Sequence, residues 1–291
     1  MPVYAASPET GTVAVIDPIT HTVSATVKVG GSPFAVAATT SGVYVTDFTG
    51  HALIALGEGI RRIPVGTSPG GIVISARGER AYVTNYQSHN VTVIDLREHV
   101  VITTIPVGRN AACPALSPCG ARLYVTNFES HDLSVIDTTT NQVIATIPSG
   151  RHPNGVAVTR DGAHVYVTST GTNTPGTNNE IAVIDAATLT PQATLPVESG
   201  PFGIAASPTA DRVYISHYYS HRILAIDTST RSTVARIPVG TAPESLAVSP
   251  TGTLVYVANR LSNDISVIDT RADRVITTVP LHSPAGLYAL P

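Results

Sequence analysis

Four residues of this chain are of types that suit proton transfer: Arg151, His152, His217 and Glu244. Imidazole and carboxyl groups accept and release protons near neutral pH, and a guanidinium steadies the negative charge such steps create. No short spacing motif joins them, so only a fold could bring them into one pocket. A second group suits binding rather than chemistry: the rings Phe34, Phe202 and Tyr218 for apolar walls, and Asp47, Asn85, Arg109, Asn127, Asn154, Asn259 and Arg260 for polar contacts. Cys113 stands where other parts of the chain carry Gly, Ala or Ser, and reads as a small filler before it reads as a nucleophile.

The elements that must position these residues are legible in residues 122–150, RLYVTNFESHDLSVIDTTTNQVIATIPSG. Three short runs, LYVT, LSVID and QVIATI, are rich in Val, Ile, Tyr and Thr and are separated by polar turn residues, the pattern of β-strands. Their tyrosine returns as Tyr4, Tyr44, Tyr82, Tyr124, Tyr166, Tyr214 and Tyr256, at intervals of 40, 38, 42, 42, 48 and 42 residues. A period near forty with four strands per unit predicts an all-β fold, a β-propeller. Each unit supplies an innermost strand A, opened by Pro33, Pro69, Pro153, Pro201, Pro243 and Pro284 with Ala111 in the fourth unit, then B, C and D moving outward. The N-terminus offers B, C and D of a first blade (residues 3–29) and the C-terminus one unpaired A strand (residues 284–290). Joining them predicts seven blades with a composite first blade, in a single domain of residues 1–291, which would protect the sheet edges.

Composition narrows the partners. A formal charge of -3 with 17 basic residues spread singly leaves no footprint for a phosphate backbone, so nucleic acid is not expected. No apolar run approaches the ~18 residues that cross a bilayer, so neither is a membrane. Met1 and Pro2 lead directly into strand residues without a leader pattern, and the expected location is the cytoplasm. Cys113 and Cys119 are expected on one extended strand, about 20 Å apart and beyond disulfide reach.

The strings YVTNYQSHNVTVID, YVTNFESHDLSVID and YVANRLSNDISVID, followed by VITTIPVG or VIATIPSG, resemble the YVTN-repeat β-propellers. The chain has no tryptophan, so neither a WD dipeptide nor a Trp-bearing Asp-box is present. The resemblance implies the seven-bladed fold. It hardly constrains function, because propellers of this kind include surface-layer proteins, cofactor-bearing dehydrogenase subunits, lyases and scaffolds.

Comparing the blades with one another separates scaffold from site. The tyrosines, the Asp ending each VID (Asp17, Asp95, Asp137, Asp185, Asp227, Asp269) and the glycines of IPVG recur, so they serve the fold. His51, His89, His131 and His221 also recur, in the B to C turns. They read as turn residues tolerating positive φ and not as a metal site, since different blades hold them too far apart for one ion. The variable positions cluster on the face that collects D to A and B to C loops, and all the candidates above fall there. Residues 170–180, TGTNTPGTNNE, account for the longest interval and sit where a lid would be. Two functions remain open: an acid–base enzyme of lyase, isomerase or cyclase type on a partly apolar small molecule, without cofactor or metal, or a scaffold whose aromatic loops bind a ligand or a protein.

Overall fold

The computed structural model describes residues 2–57, 59–171 and 179–290. Within them the chain forms seven four-stranded antiparallel sheets. The inner strands run Pro33–Thr39, Pro69–Ile74, Ala111–Leu116, Pro153–Val158, Pro201–Ala206 and Pro243–Val248. The seventh, Leu287–Ala289, pairs with Val3–Ser7 in the register Val3↔Ala289, Tyr4↔Tyr288 and Ala5↔Leu287. Two more backbone bonds extend that closure, Ala6 N–H to the Gly286 carbonyl and Ala285 N–H to the Ala6 carbonyl. Each inner strand touches the inner strand of the next blade all round the ring. Blade 1 is therefore composite, as the repeat predicts.

The repeated residues hold the seams between blades. Tyr44, Tyr82, Tyr124, Tyr166, Tyr214 and Tyr256 are buried, and each apolar cluster draws on two adjacent blades; Tyr124 and Leu133 of blade 4, for example, pack with Val156, Val165 and Val167 of blade 5. Burying such side chains from water is what favours stacking the blades. The VID aspartates cap the outer hairpins. Asp137 Oδ1, for instance, accepts the N–H groups of Thr139 and Thr140, which holds its carboxyl below the usual carboxylate range. In the same role Ser229 and Thr230 pull Asp227 down to about 2.

The recurrent histidines do two jobs. His51, His89, His131 and His221 all have φ between 52 and 63 degrees, as expected. Their Nδ1 atoms also accept a backbone N–H from the loop entering the next blade: Ser68 to His51 (3.2 Å), Asn110 to His89 (2.9 Å), His152 to His131 (3.2 Å) and Ala242 to His221 (3.2 Å). In blade 7 Asn263 replaces them, with Oδ1 accepting from Ser283 at 2.8 Å.

A second stitch lies near the axis. Strand A loses register just after its opening proline, between Pro153 and Val156 in blade 5 and between Pro201 and Ile204 in blade 6. Such a bulge leaves backbone groups without ladder partners. The strand B hydroxyl satisfies them. Thr168 Oγ1 accepts from Gly155 N–H at 2.9 Å and donates to the Phe202 carbonyl of the next blade at 2.6 Å. Ser216 does the same for Gly203 and the Glu244 carbonyl, both at 2.8 Å.

One expectation needs correcting. Cys113 lies in the inner strand but Cys119 lies beyond its end, in an exposed turn, so the two do not share one extended strand; both thiols are free. Among the described residues no helix is long and apolar enough to cross a membrane.

Candidate functional site

The face predicted to vary carries a cleft of about 270 Å³. Its lining comes from four successive blades: Phe128, Asn154 and Thr170, Gly200 with Phe202, Tyr218 and Tyr219, and Glu244. Asn154, Phe202 and Glu244 each follow the first residue of a strand A, so the bulge and its hydroxyl stitch set where they sit. Two glycines make room. An added Cβ at Gly203 would meet the Glu244 carbonyl oxygen at 2.3 Å, and one at Gly200 (φ +73) would strike the Tyr219 ring. Phe202 and Tyr218 lie 6.2 Å apart, and Tyr218 meets Tyr219 edge-on at 5.1 Å.

Glu244 is the charged group of this lining, among the described residues. It is 7% exposed, and its Oε1 accepts from Arg260 Nη1 at 3.0 Å. Oε2 has no hydrogen bond to the described residues. Burial pushes the carboxyl up, and the Arg260 guanidinium only partly offsets this. Burial also raises the Tyr218 hydroxyl, with the Glu244 charge adding to it. A carboxyl tuned upward, in a cleft walled by aromatic rings, suits proton transfer to and from a ligand.

The other expected acid–base residues are not gathered here. His217 is fully buried at the end of strand B, and neither ring nitrogen has a hydrogen-bond partner of good geometry. Burial pushes its imidazole down, against the opposing influence of Glu198. It lies outside the cleft lining, at the end of strand B opposite Pro201 of strand A. His152 occupies the positive-φ site before Pro153 (φ 52), stacks on Phe128 at 4.6 Å and meets His131 edge-on at 4.8 Å. Its Nδ1 bonds the Gly171 carbonyl. It supports Phe128 from outside the lining, and Arg151 is exposed beside it.

Several expected binding residues are scaffold. Asn85, Asn127 and Asn259 share the His217 position and are fully buried; each carboxamide donates to two residues of strand C, as Asn127 does to Asp132 (2.6 Å) and Ser134 (2.9 Å). Asp47, 1% exposed, is held by Ser32 N–H, Gly50 N–H and the Arg62 guanidinium. Phe34 packs on Phe48 at 5.6 Å and does not join Phe202 across the channel. Arg109 is exposed and donates to the Glu129 carbonyl. Asn154, Phe202, Tyr218 and Glu244 remain in the cleft, with Arg260 behind Glu244. Cys113 is half-buried, and burial pushes its thiol up to about 11, which disfavours the nucleophilic thiolate.

Phe128 and Tyr219 line the cleft but are not among the binding residues expected from the sequence. Phe128 shares a blade position with Phe48, Tyr86 and Tyr218, which makes it look like repeated loop packing; the doubled Tyr218-Tyr219, found in blade 6 alone, is the signal the sequence offers. The lid expected over residues 170–180 lies mostly outside the described residues, at 172–178, although Thr170 does reach the cleft. At the opposite mouth of the ring a larger cavity, about 460 Å³, is lined by the A to B turns of blades 2 to 4 together with Tyr288 and Leu290. Among the described residues no group of three or more His, Cys, Asp or Glu is placed to hold a metal ion.

No protein-family model matches the chain, and no curated protein does. Solved structures do share its fold. A protein of unknown function from Desulfotomaculum acetoxidans DSM 771 superposes with a TM-score of 0.84 at 16% identity, over 100% of this chain and 99% of that one. The Kuenenia stuttgartiensis hydrazine synthase superposes with a TM-score of 0.76 at 18% identity, over 86% of each chain. At these identities the likeness establishes the seven-bladed propeller and nothing finer.

Proposed function

We propose that this propeller is an acid–base enzyme of the lyase, isomerase or cyclase type, acting on a partly apolar small molecule in the Glu244 cleft. The observation that carries the reading is Glu244 itself: a nearly buried carboxyl, shifted upward, with one oxygen tied to Arg260 and the other without a hydrogen bond to the described residues. In this role Glu244 Oε2 accepts a proton from the ligand and returns it elsewhere on the same molecule. Arg260 keeps the carboxyl oriented. The Tyr218 hydroxyl, raised in part by the Glu244 charge, serves as the second polar group of the cleft. Phe128, Phe202 and Tyr219 exclude water and hold the apolar part. One carboxyl suffices for isomerisation or elimination, so His152 and His217 have no acid–base part. A solved neighbour named as a synthase is consistent with catalysis on this fold. The YVTN-repeat assignment likewise rests on the repeat strings.

The test is proton exchange. The protein is incubated in D2O with a set of small, partly apolar compounds bearing acidic C–H bonds, and deuterium uptake is followed by mass spectrometry. Glu244→Gln should slow the enzyme-dependent uptake about a hundredfold or more, the scale of a positioned acid or base, without lowering the melting temperature. Uptake that is equal in the variant, or absent in both proteins, refutes the reading.

A second reading is favoured by one observation. Tyr86, Phe128 and His152 form a continuous ring contact on the same face, with centroids 6.3 Å and 4.6 Å apart, and Phe34 with Phe48 forms another. Rings presented this way could anchor a protein partner. Replacing Tyr86 and Phe48 together by Ala should then abolish partner capture while leaving proton exchange untouched.

A further inference from the structure

The cleft has an uneven chemistry. Four of the eight aromatic residues outside the repeat tyrosines converge on it: Phe128, Phe202, Tyr218 and Tyr219. The face of an aromatic ring carries the negative side of its quadrupole and attracts cations within about 6 Å. The one carboxylate among the described lining residues is Glu244, and that lining contains no Lys, Arg or His. Its uncharged polar side chains, Asn154, Thr170 and the two tyrosine hydroxyls, each offer an oxygen acceptor.

Three classes of occupant can be weighed on these facts. An anion would sit against ring faces and a carboxylate, which repel it; Arg260, the nearest cation, is not part of the lining and already bonds Glu244. A neutral apolar molecule would fill the volume but leave Glu244 Oε2 dry and unpartnered, a costly state for a charged oxygen. A cation satisfies both features at once. It meets Oε2 as its counter-ion and the rings as its walls.

We propose that the Glu244 cleft is a binding site for a small organic cation, an alkylammonium or arylalkylammonium, seated among Phe128, Phe202, Tyr218 and Tyr219 with Glu244 as its counter-ion. The proposal names the substrate class of the cleft and rests on the reading of that cleft as a small-molecule site. It has a further consequence: because burial raises the carboxyl in the free protein, an arriving cation stabilises its ionised form, so binding at mildly acid pH releases protons.

Three probes of similar shape separate the classes: 2-phenylethylammonium, 2-phenylethanol and 3-phenylpropanoate, titrated calorimetrically against wild type, Glu244→Gln and Phe202→Ala, each variant first shown to be folded by its melting curve. The ammonium should bind about tenfold or more tightly than the alcohol, and the carboxylate weakest. Glu244→Gln should remove the preference for the ammonium while leaving alcohol binding in place, and Phe202→Ala should weaken both. Titration near pH 5 in two buffers of different ionisation enthalpy should reveal proton release with the ammonium only. Equal binding of ammonium and alcohol overturns the cation class yet leaves a small-molecule cleft. Tightest binding of the carboxylate overturns it in favour of Arg260, and binding of none of the three overturns it outright. Preference for the ammonium without any Glu244-dependent proton exchange would uphold the cation site and defeat the catalytic reading.

Discussion

Thr168→Val removes one hydroxyl and keeps the shape of the side chain. That hydroxyl accepts from Gly155 N–H (2.9 Å) in its own blade and donates to the Phe202 carbonyl (2.6 Å) in the next, at a residue with no exposed surface. Both backbone groups lie in bulges where the strand ladder supplies no substitute. Valine therefore leaves one buried donor and one buried acceptor unpaired, at about 1–3 kcal/mol each, for a total of about 2–6 kcal/mol. In a domain of this size each kcal/mol moves the melting temperature by about 2–4 °C, so a fall of roughly 4–24 °C is expected. Thr168→Ser keeps the hydroxyl and loses one methyl, about 0.8 kcal/mol, and Ser216 already fills this place in blade 6. Thermal melts followed by circular dichroism, with wild type and the serine variant alongside, decide the matter. A valine variant that melts with the serine variant would refute the idea that hydroxyls stitch the inner bulges. The same variant should weaken ligand binding in the Glu244 cleft, because the Phe202 backbone is one of the groups released.

Ending the chain at Ser283 should lower the melting temperature by about 10 °C or more, because Val3–Ser7 loses its inner neighbour and Leu287 leaves the core shared by blades 1 and 7; an unchanged melt would contradict the composite blade. At pH 8 iodoacetamide should modify Cys119 first, since its thiol is exposed and lowered by the Ser117 hydroxyl, while Cys113, raised to about 11 by burial, should react only after denaturation; comparable rates in peptide mapping would overturn that order. Glu244 gives a pH prediction whose sign follows from burial: its folded carboxyl binds a proton more tightly than the unfolded one at 4.5, so the stability it contributes is fully present below that value and is lost as pH rises through the higher folded value. The melting temperature of Glu244→Gln relative to wild type should therefore rise between pH 4 and pH 8, and a flat or falling difference would show the carboxyl is not shifted upward.

The repeat determined the ring. Tyrosines at nearly constant spacing, VID aspartates and strand A prolines each mark a point in one four-stranded unit, and the leftover strands at the two ends have only one way to pair. Such features are legible because they are local in sequence and recur, so every blade confirms the others. The functional face was legible only as a set of variable positions. Which of them share a space was decided by the tertiary structure. Asn85, Asn127, Asn259 and His217 sit at the end of strand B, where alternation turns the side chain into the blade, so variation there changes internal hydrogen bonds rather than a surface. Asn154, Phe202 and Glu244 lie within a bulge that frees them from that alternation and aims them at the cleft. Phe128 and Tyr219 join them from neighbouring loops by curvature of the ring. A bulge and the angle between blades are properties of packed sheets, and no single strand's sequence carries them.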